Sequence, residues 1–138
     1  REEKMLEVLP IQTKEEQEAA CAACLIPYDA DLLAYKLLDE GKLAAACQFR
    51  ISPRGGELLN ISGVGGDMDT VHIMLLGRGF FNFADLCGAK KAYLCDRALE
   101  RRLALVIGFS DDGNGEYSVD LTTFFSSPCQ HGHGFTGE

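Results

Sequence analysis

Cys129-Gln130-His131-Gly132-His133 places one thiol and two imidazoles close together near the end of the chain. Thiolate and imidazole are good ligands for zinc, nickel or copper. Three ligands so near one another need a fourth, from His72, Cys24 or a second chain. The glycines there, Gly132 and Gly134, suit a mobile chain end equally well, and residues 126–138 read as a flexible C-terminal tail. Cys21-Ala22-Ala23-Cys24 is a CxxC without a second such pair. It falls inside an expected helix, where two packed thiols are a simpler reading than a redox or zinc centre. A cysteine hydrolase needs a thiol, an imidazole and an orienting group together, and no cysteine here has that context. Gly63-Val64-Gly65-Gly66 precedes a long apolar segment. Glycines let a backbone approach a phosphate, and a helix N-terminus offers free N–H groups. The same run also makes an ordinary flexible turn.

These groups must be held by a scaffold. Met5 to Gln12 reads as an edge strand that tolerates Pro10. Thr13 is an N-cap with Glu16 as its capping-box partner, giving a helix to about Cys24. Asp31 to Asp39 suits a helix by composition and a strand by position. Glu40-Gly41 and Pro53-Arg54-Gly55-Gly56 are turns that bound strands over Lys42–Ser52 and Glu57–Ser62. Asp67 to Cys87 is apolar on nearly every face and predicts a buried helix, with Asp67 or Asp69 at its start and Gly88 after its end. His72 lies near that start, packed or hydrogen-bonded. A strand over Ala89–Asp96, a helix over Arg97–Ile107, a loop at Asp111–Gly115 and a strand over Glu116–Phe125 complete the order. Strands alternate with helices only in the second half. The chain is therefore expected to form one α/β (α+β) domain over residues 1–138, with a mixed sheet flanked by helices.

Composition sets bounds on function. The 138 residues suffice for a core without disulfides. The net charge of −8 carries no basic footprint for nucleic acid, and it would favour a cationic amine by steering. No apolar run approaches a membrane span. The charged start, Arg1-Glu2-Glu3-Lys4, carries no signal-peptide pattern. Most of the six cysteines sit in apolar runs, as expected for buried free thiols in the cytoplasm.

The element order resembles the GNAT N-acetyltransferase family over roughly residues 5–125. The stretch from Glu57 to Phe109 carries most of the likeness: a strand, a glycine loop, a long helix ending at Cys87-Gly88, a strand, and a helix closing with Ile107-Gly108-Phe109. The resemblance implies a mostly antiparallel central sheet and acetyl-CoA as co-substrate. The family's Q/R-x-x-G-x-G/A loop maps onto Asn60-Ile61-Ser62-Gly63-Val64-Gly65. Ile61, Ser62, Gly63, Val64, Gly65, Gly66 and Asp67 would then bind the cofactor, with Gly63 to Gly66 and the N-terminus of the following helix holding its pyrophosphate. A second window, Met74 to Gly79, has the same glycine spacing but leaves too short a helix before Gly88. Glu57 is the only carboxylate on the strand before the loop. The resemblance makes it the candidate base; its place beside a turn suits a surface charge. The acceptor would be a small-molecule or protein amine, and a homodimer through sheet edges or the C-terminal strand fits the family. Three positions depart from its pattern. Asn60 replaces Gln or Arg, Leu103-Ala104-Leu105-Val106 lacks the tyrosine acid, and Cys95-Asp96 replaces an asparagine that contacts pantetheine. An N-acetyltransferase and a catalytically degenerate CoA-binding or interaction module therefore both fit.

Overall fold

Turn chemistry in the first half drives an antiparallel meander. A computed structural model describes residues 5–126. Strands β1 (Leu6–Pro10), β2 (Leu33–Asp39), β3 (Lys42–Ser52) and β4 (Gly55–Gly63) pair in sequence order. Pro10 sits on the edge, opposite Tyr35, where no outward N–H is needed. Glu40 and Gly41 both take positive φ, 54° and 82°, and reverse the chain between β2 and β3. The ambiguous segment is thereby a strand: Ala34 and Leu37 point into the molecule while Leu33 is exposed.

Helix α1 (Lys14–Ala23) starts where Thr13 Oγ1 accepts the Glu16 N–H at 3.1 Å. The capping interaction seen is one-sided, because the Glu16 carboxylate pairs with Lys36. Helix α2 (Thr70–Leu86) follows β4 after a single 3-10 turn at Val64–Gly66. It buries Ile73, Leu76, Phe80, Phe81 and Ala84 against the sheet, among Phe49, Leu58 and Ile61. Val71 and Leu86 are exposed, so α2 is buried along one face rather than all around.

The crossover through α2 makes β5 (Lys91–Leu94) parallel to β4, while the other pairings are antiparallel. Helix α3 (Arg101–Ile107) starts later than its sequence suggests. The Asp96 side chain accepts the Ala98 N–H at 2.9 Å and holds the preceding residues in a turn. Strands β6 (Ser110–Asp111) and β7 (Tyr117–Asp120) finish a seven-stranded sheet of order β1-β2-β3-β4-β5-β7-β6. The expected strand over Glu116–Phe125 is cut short. Asp120 Oδ1 accepts the Thr123 N–H at 3.1 Å and turns Leu121–Ser126 into a helix, α4. The result is the mixed, mostly antiparallel sheet flanked by helices that the sequence predicts.

Candidate functional site

Parallel pairing between β4 and β5 is brief. It spans Gly56 to Leu58 opposite Ala92 to Leu94. The Cys95 N–H then donates to the Leu58 carbonyl at 2.8 Å, and the two chains diverge. From Leu59 to Gly63, β4 has no strand partner on that side. A wedge-shaped gap opens where backbone groups of β4 are available to something other than a strand. Asp96 enters it from the end of β5. Its Oδ2 accepts the Ile61 N–H at 3.2 Å while Oδ1 holds Ala98. Burial raises the Asp96 carboxyl above its ordinary range, against the opposing pull of those backbone N–H groups.

The glycine loop lies at the far end of the same strand. The Gly63 N–H donates to the Asp67 carbonyl at 2.9 Å, so the loop folds back on itself. A Cβ on Gly63 would collide with that carbonyl, and Gly65 has φ of 68°. The loop's own path requires Gly63 and favours glycine at position 65, whether or not a phosphate sits on it. Asp69 caps α2 by accepting the His72 N–H at 3.0 Å, and His72 Nε2 lies 3.3 Å from Asp39. The Asp69 carboxylate thus stands where the α2 dipole would otherwise attract an anion. Gly77 and Gly79 of the second window lie inside α2, packed against Ile107 and Val8. They form no loop. Asn60 accepts a hydrogen bond at 3.1 Å from Gln48, a fully buried residue that also binds Gln17, Asp29 and Pro27. This network ties α1 and the chain after it to β3 and β4.

Glu57 is 6 % exposed and is therefore no surface charge. Arg50 Nε donates to Oε1 and Arg54 Nε to Oε2, each at 2.6 Å, and Ser52 Oγ adds a bond at 3.3 Å. Burial pushes the Glu57 carboxyl upward, but the bonds from Arg54 and Arg50 outweigh it and hold the group below its ordinary range. Such a carboxylate is a poor base and a good anchor. Arg54 also pairs with Glu116 at 3.0 Å and lies 3.8 Å above the Tyr93 ring. A cavity of about 580 Å³ opens beside it, lined by Arg54, Cys95, Asp96, Arg97, Glu116 and Tyr117 among others. A second, of about 440 Å³, lies between the Pro27–Leu32 segment and β4, with Tyr28, Arg50 and Asn60 in its wall. The Glu57 anchor thus holds an arginine on the rim of each. Arg54, Glu116 and the gap-filling role of Asp96 were not evident from sequence. An Asp two residues before Ala98, at a strand end, was the one available signal of a local side-chain turn.

The three thiols in the interior are poorly suited to chemistry. Cys21, Cys24 and Cys47 are buried. Burial raises Cys24 to about 11 and Cys47 to about 12, which keeps both protonated near neutrality. Among the described residues no group of three or more His, Cys, Asp or Glu is placed to hold a metal ion. Cys129, His131 and His133 lie outside the described residues. Also among the described residues, no helix is long and apolar enough to cross a membrane.

No protein-family model and no curated protein sequence matches the chain. Solved structures do. The ribosomal-protein-S18-alanine N-acetyltransferase of Escherichia coli superposes with a TM-score of 0.58 at 17 % identity, over 83 % of this chain and 90 % of that one. A candidate N-acetyl transferase of E. coli, YhhK, solved by NMR bound to coenzyme A, superposes with a TM-score of 0.55 at 15 % identity, over 86 % and 99 %. The chain has the GNAT N-acetyltransferase fold.

Proposed function

We propose that the protein is an acetyl-CoA-dependent N-acetyltransferase acting on an amine. The observation that carries this reading is the divergence of β4 from β5 beside the glycine loop, in a fold shared with N-acetyltransferases, one of them bound to coenzyme A. In this reading Gly63 to Gly66 and the start of α2 face the pyrophosphate, and the thioester lies in the gap along β4. A neutral amine attacks the thioester carbonyl carbon, the new C–N bond forms, and the C–S bond breaks. The ammonium proton passes through water to the departing thiolate. The chain contributes proximity and polarisation of the carbonyl by backbone N–H groups of β4. Glu57, the base suggested by family resemblance, instead fixes Arg50 and Arg54 at the two cavities. The five described cysteines are free thiols, which suits a reducing cytoplasm.

A catalytically degenerate CoA-binding or interaction module is the second reading. It is favoured by the Asp69 carboxylate at the α2 N-terminus and by the engagement of Ile61 with Asp96. Calorimetric titration of acetyl-CoA and CoA into the protein and a Gly65→Glu variant tests the site. Micromolar binding that the variant loses supports it, and an amine-acceptor screen then separates the two readings by turnover. No binding at millimolar ligand overturns both as CoA sites.

A further inference from the structure

We propose that Asp96 is a built-in occupant of the gap between β4 and β5, competing with an acyl carbonyl for the Ile61 N–H and thereby setting the affinity of the site for thioesters. The inference rests on the acyl-donor reading of that gap. Three observations carry it. First, Ile61 lies on the part of β4 that has left β5, so its N–H has no strand acceptor on that side and is served by Asp96 Oδ2 at 3.2 Å. Second, the carboxylate is held in place. Its other oxygen accepts the Ala98 N–H at 2.9 Å, and the backbone on either side is fixed by the Cys95–Leu58 bond and by buried Leu99. Third, the carboxylate has somewhere to go. The cavity beside it is also lined by Arg54 and by Arg97, which is exposed and has no hydrogen-bond or ion-pair partner among the described residues.

A carboxylate accepts a backbone hydrogen bond more strongly than a thioester carbonyl does. A thioester that uses this N–H must therefore first turn Asp96 out, and its observed affinity is reduced by the fraction of molecules in which Asp96 is already out. Free CoA has a thiol and no acyl carbonyl, so it has less to gain from the same N–H. Asp96 is thus a specificity-determining residue as well as a stopper.

Wild type, Asp96→Ala and Asp96→Asn separate the possibilities. Amide hydrogen exchange at Ile61, followed by NMR, reads the contact without ligand. It is expected to speed up by about tenfold or more in Asp96→Ala. Calorimetry with acetyl-CoA is expected to show a gain of about tenfold in the same variant, larger than the gain for CoA. Asp96→Asn keeps an oxygen for Ala98 and removes the charge; it should fall between, and it carries the test if the alanine variant does not fold. Unchanged Ile61 exchange overturns the inference. So does acetyl-CoA binding that is present in wild type and unaltered or weakened in a folded variant, and that outcome leaves the acyl-donor reading intact. Absence of binding in all three proteins overturns the acyl-donor reading and the inference with it.

Discussion

Gly77 of α2 and Ile107 of α3 are packed with no room between them: a Cβ on Gly77 would lie 2.7 Å from Cγ2 of Ile107. The two helices share the core at this point, together with Phe81 and Leu103. Gly77→Ala is expected to force them apart and cost about 1–3 kcal/mol, the usual range for overpacking. A thermal melt reads the loss. Gly65→Ala meets no neighbour and should cost about 1 kcal/mol through its positive φ alone. If Gly77→Ala melts like wild type, the close approach of α2 and α3 is wrong.

Glu57→Gln should weaken the fold by about 1–3 kcal/mol, toward the low end because Arg50 and Arg54 are half-exposed. The pH dependence has a definite sign. A carboxyl held below its ordinary 4.5 in the folded state stabilises fully above that value. The contribution fades as pH falls through the folded value. Denaturant titrations of the two proteins should therefore differ at pH 7 and converge in acid; a constant difference refutes the anchor role.

The buried thiols set an alkaline limit. Cys24 and Cys47 titrate near 11 and 12 when folded, against an ordinary 9.0. A raised folded value means the stabilisation is complete below pH 9 and drains away as pH climbs toward 11 and 12. Alkylation at neutral pH, read by mass spectrometry, should mark exposed Cys87 first among the described cysteines. Cys21, Cys24 and Cys47 should react only on unfolding. Rapid labelling of Cys47 in the folded protein would contradict its burial.

Gln48 joins four partners from three segments, and no water-facing route replaces them. Gln48→Leu should leave the Asp29 N–H without its acceptor and the Pro27 carbonyl and Asn60 Oδ1 without their donor, while the Gln17 amide keeps the Asp29 and Leu32 carbonyls, costing about 1–3 kcal/mol per buried group left unpaired. Amide exchange at Asp29 should accelerate more than at β3 positions away from residue 48. Uniform change across the sheet would point to global destabilisation instead.

Much of the scaffold was legible because local chemistry and tertiary packing agree there. Thr13, Glu40-Gly41, Asp69 and Gly88 each mark an element end in the structure, and the element order suffices to expect a mixed sheet. The failures have physical causes. Thr122, Thr123, Phe124 and Phe125 carry strand propensity, yet Asp120 caps a helix there. Arg97 to Glu100 suit a helix, yet Asp96 takes the Ala98 N–H first. At the site, spacing pointed to the glycine loop and to Glu57 but could not show what each touches. Gly63 answers to Asp67, and Glu57 to two arginines from its own hairpin. Arg54 reaches Glu116 across 62 positions of sequence, a distance over which no periodicity carries information.

The sheet's two margins have a consequence for life in a crowded solution. One margin ends at Pro10, which cannot donate a hydrogen bond, and the other is the two-residue strand β6. A stray extended chain seeking to copy itself onto either margin finds few consecutive backbone groups to template on. Among the described residues these two margins thereby present poor seeds for amyloid-like growth, while β2, β3 and β4 keep long antiparallel pairings at the centre of the sheet.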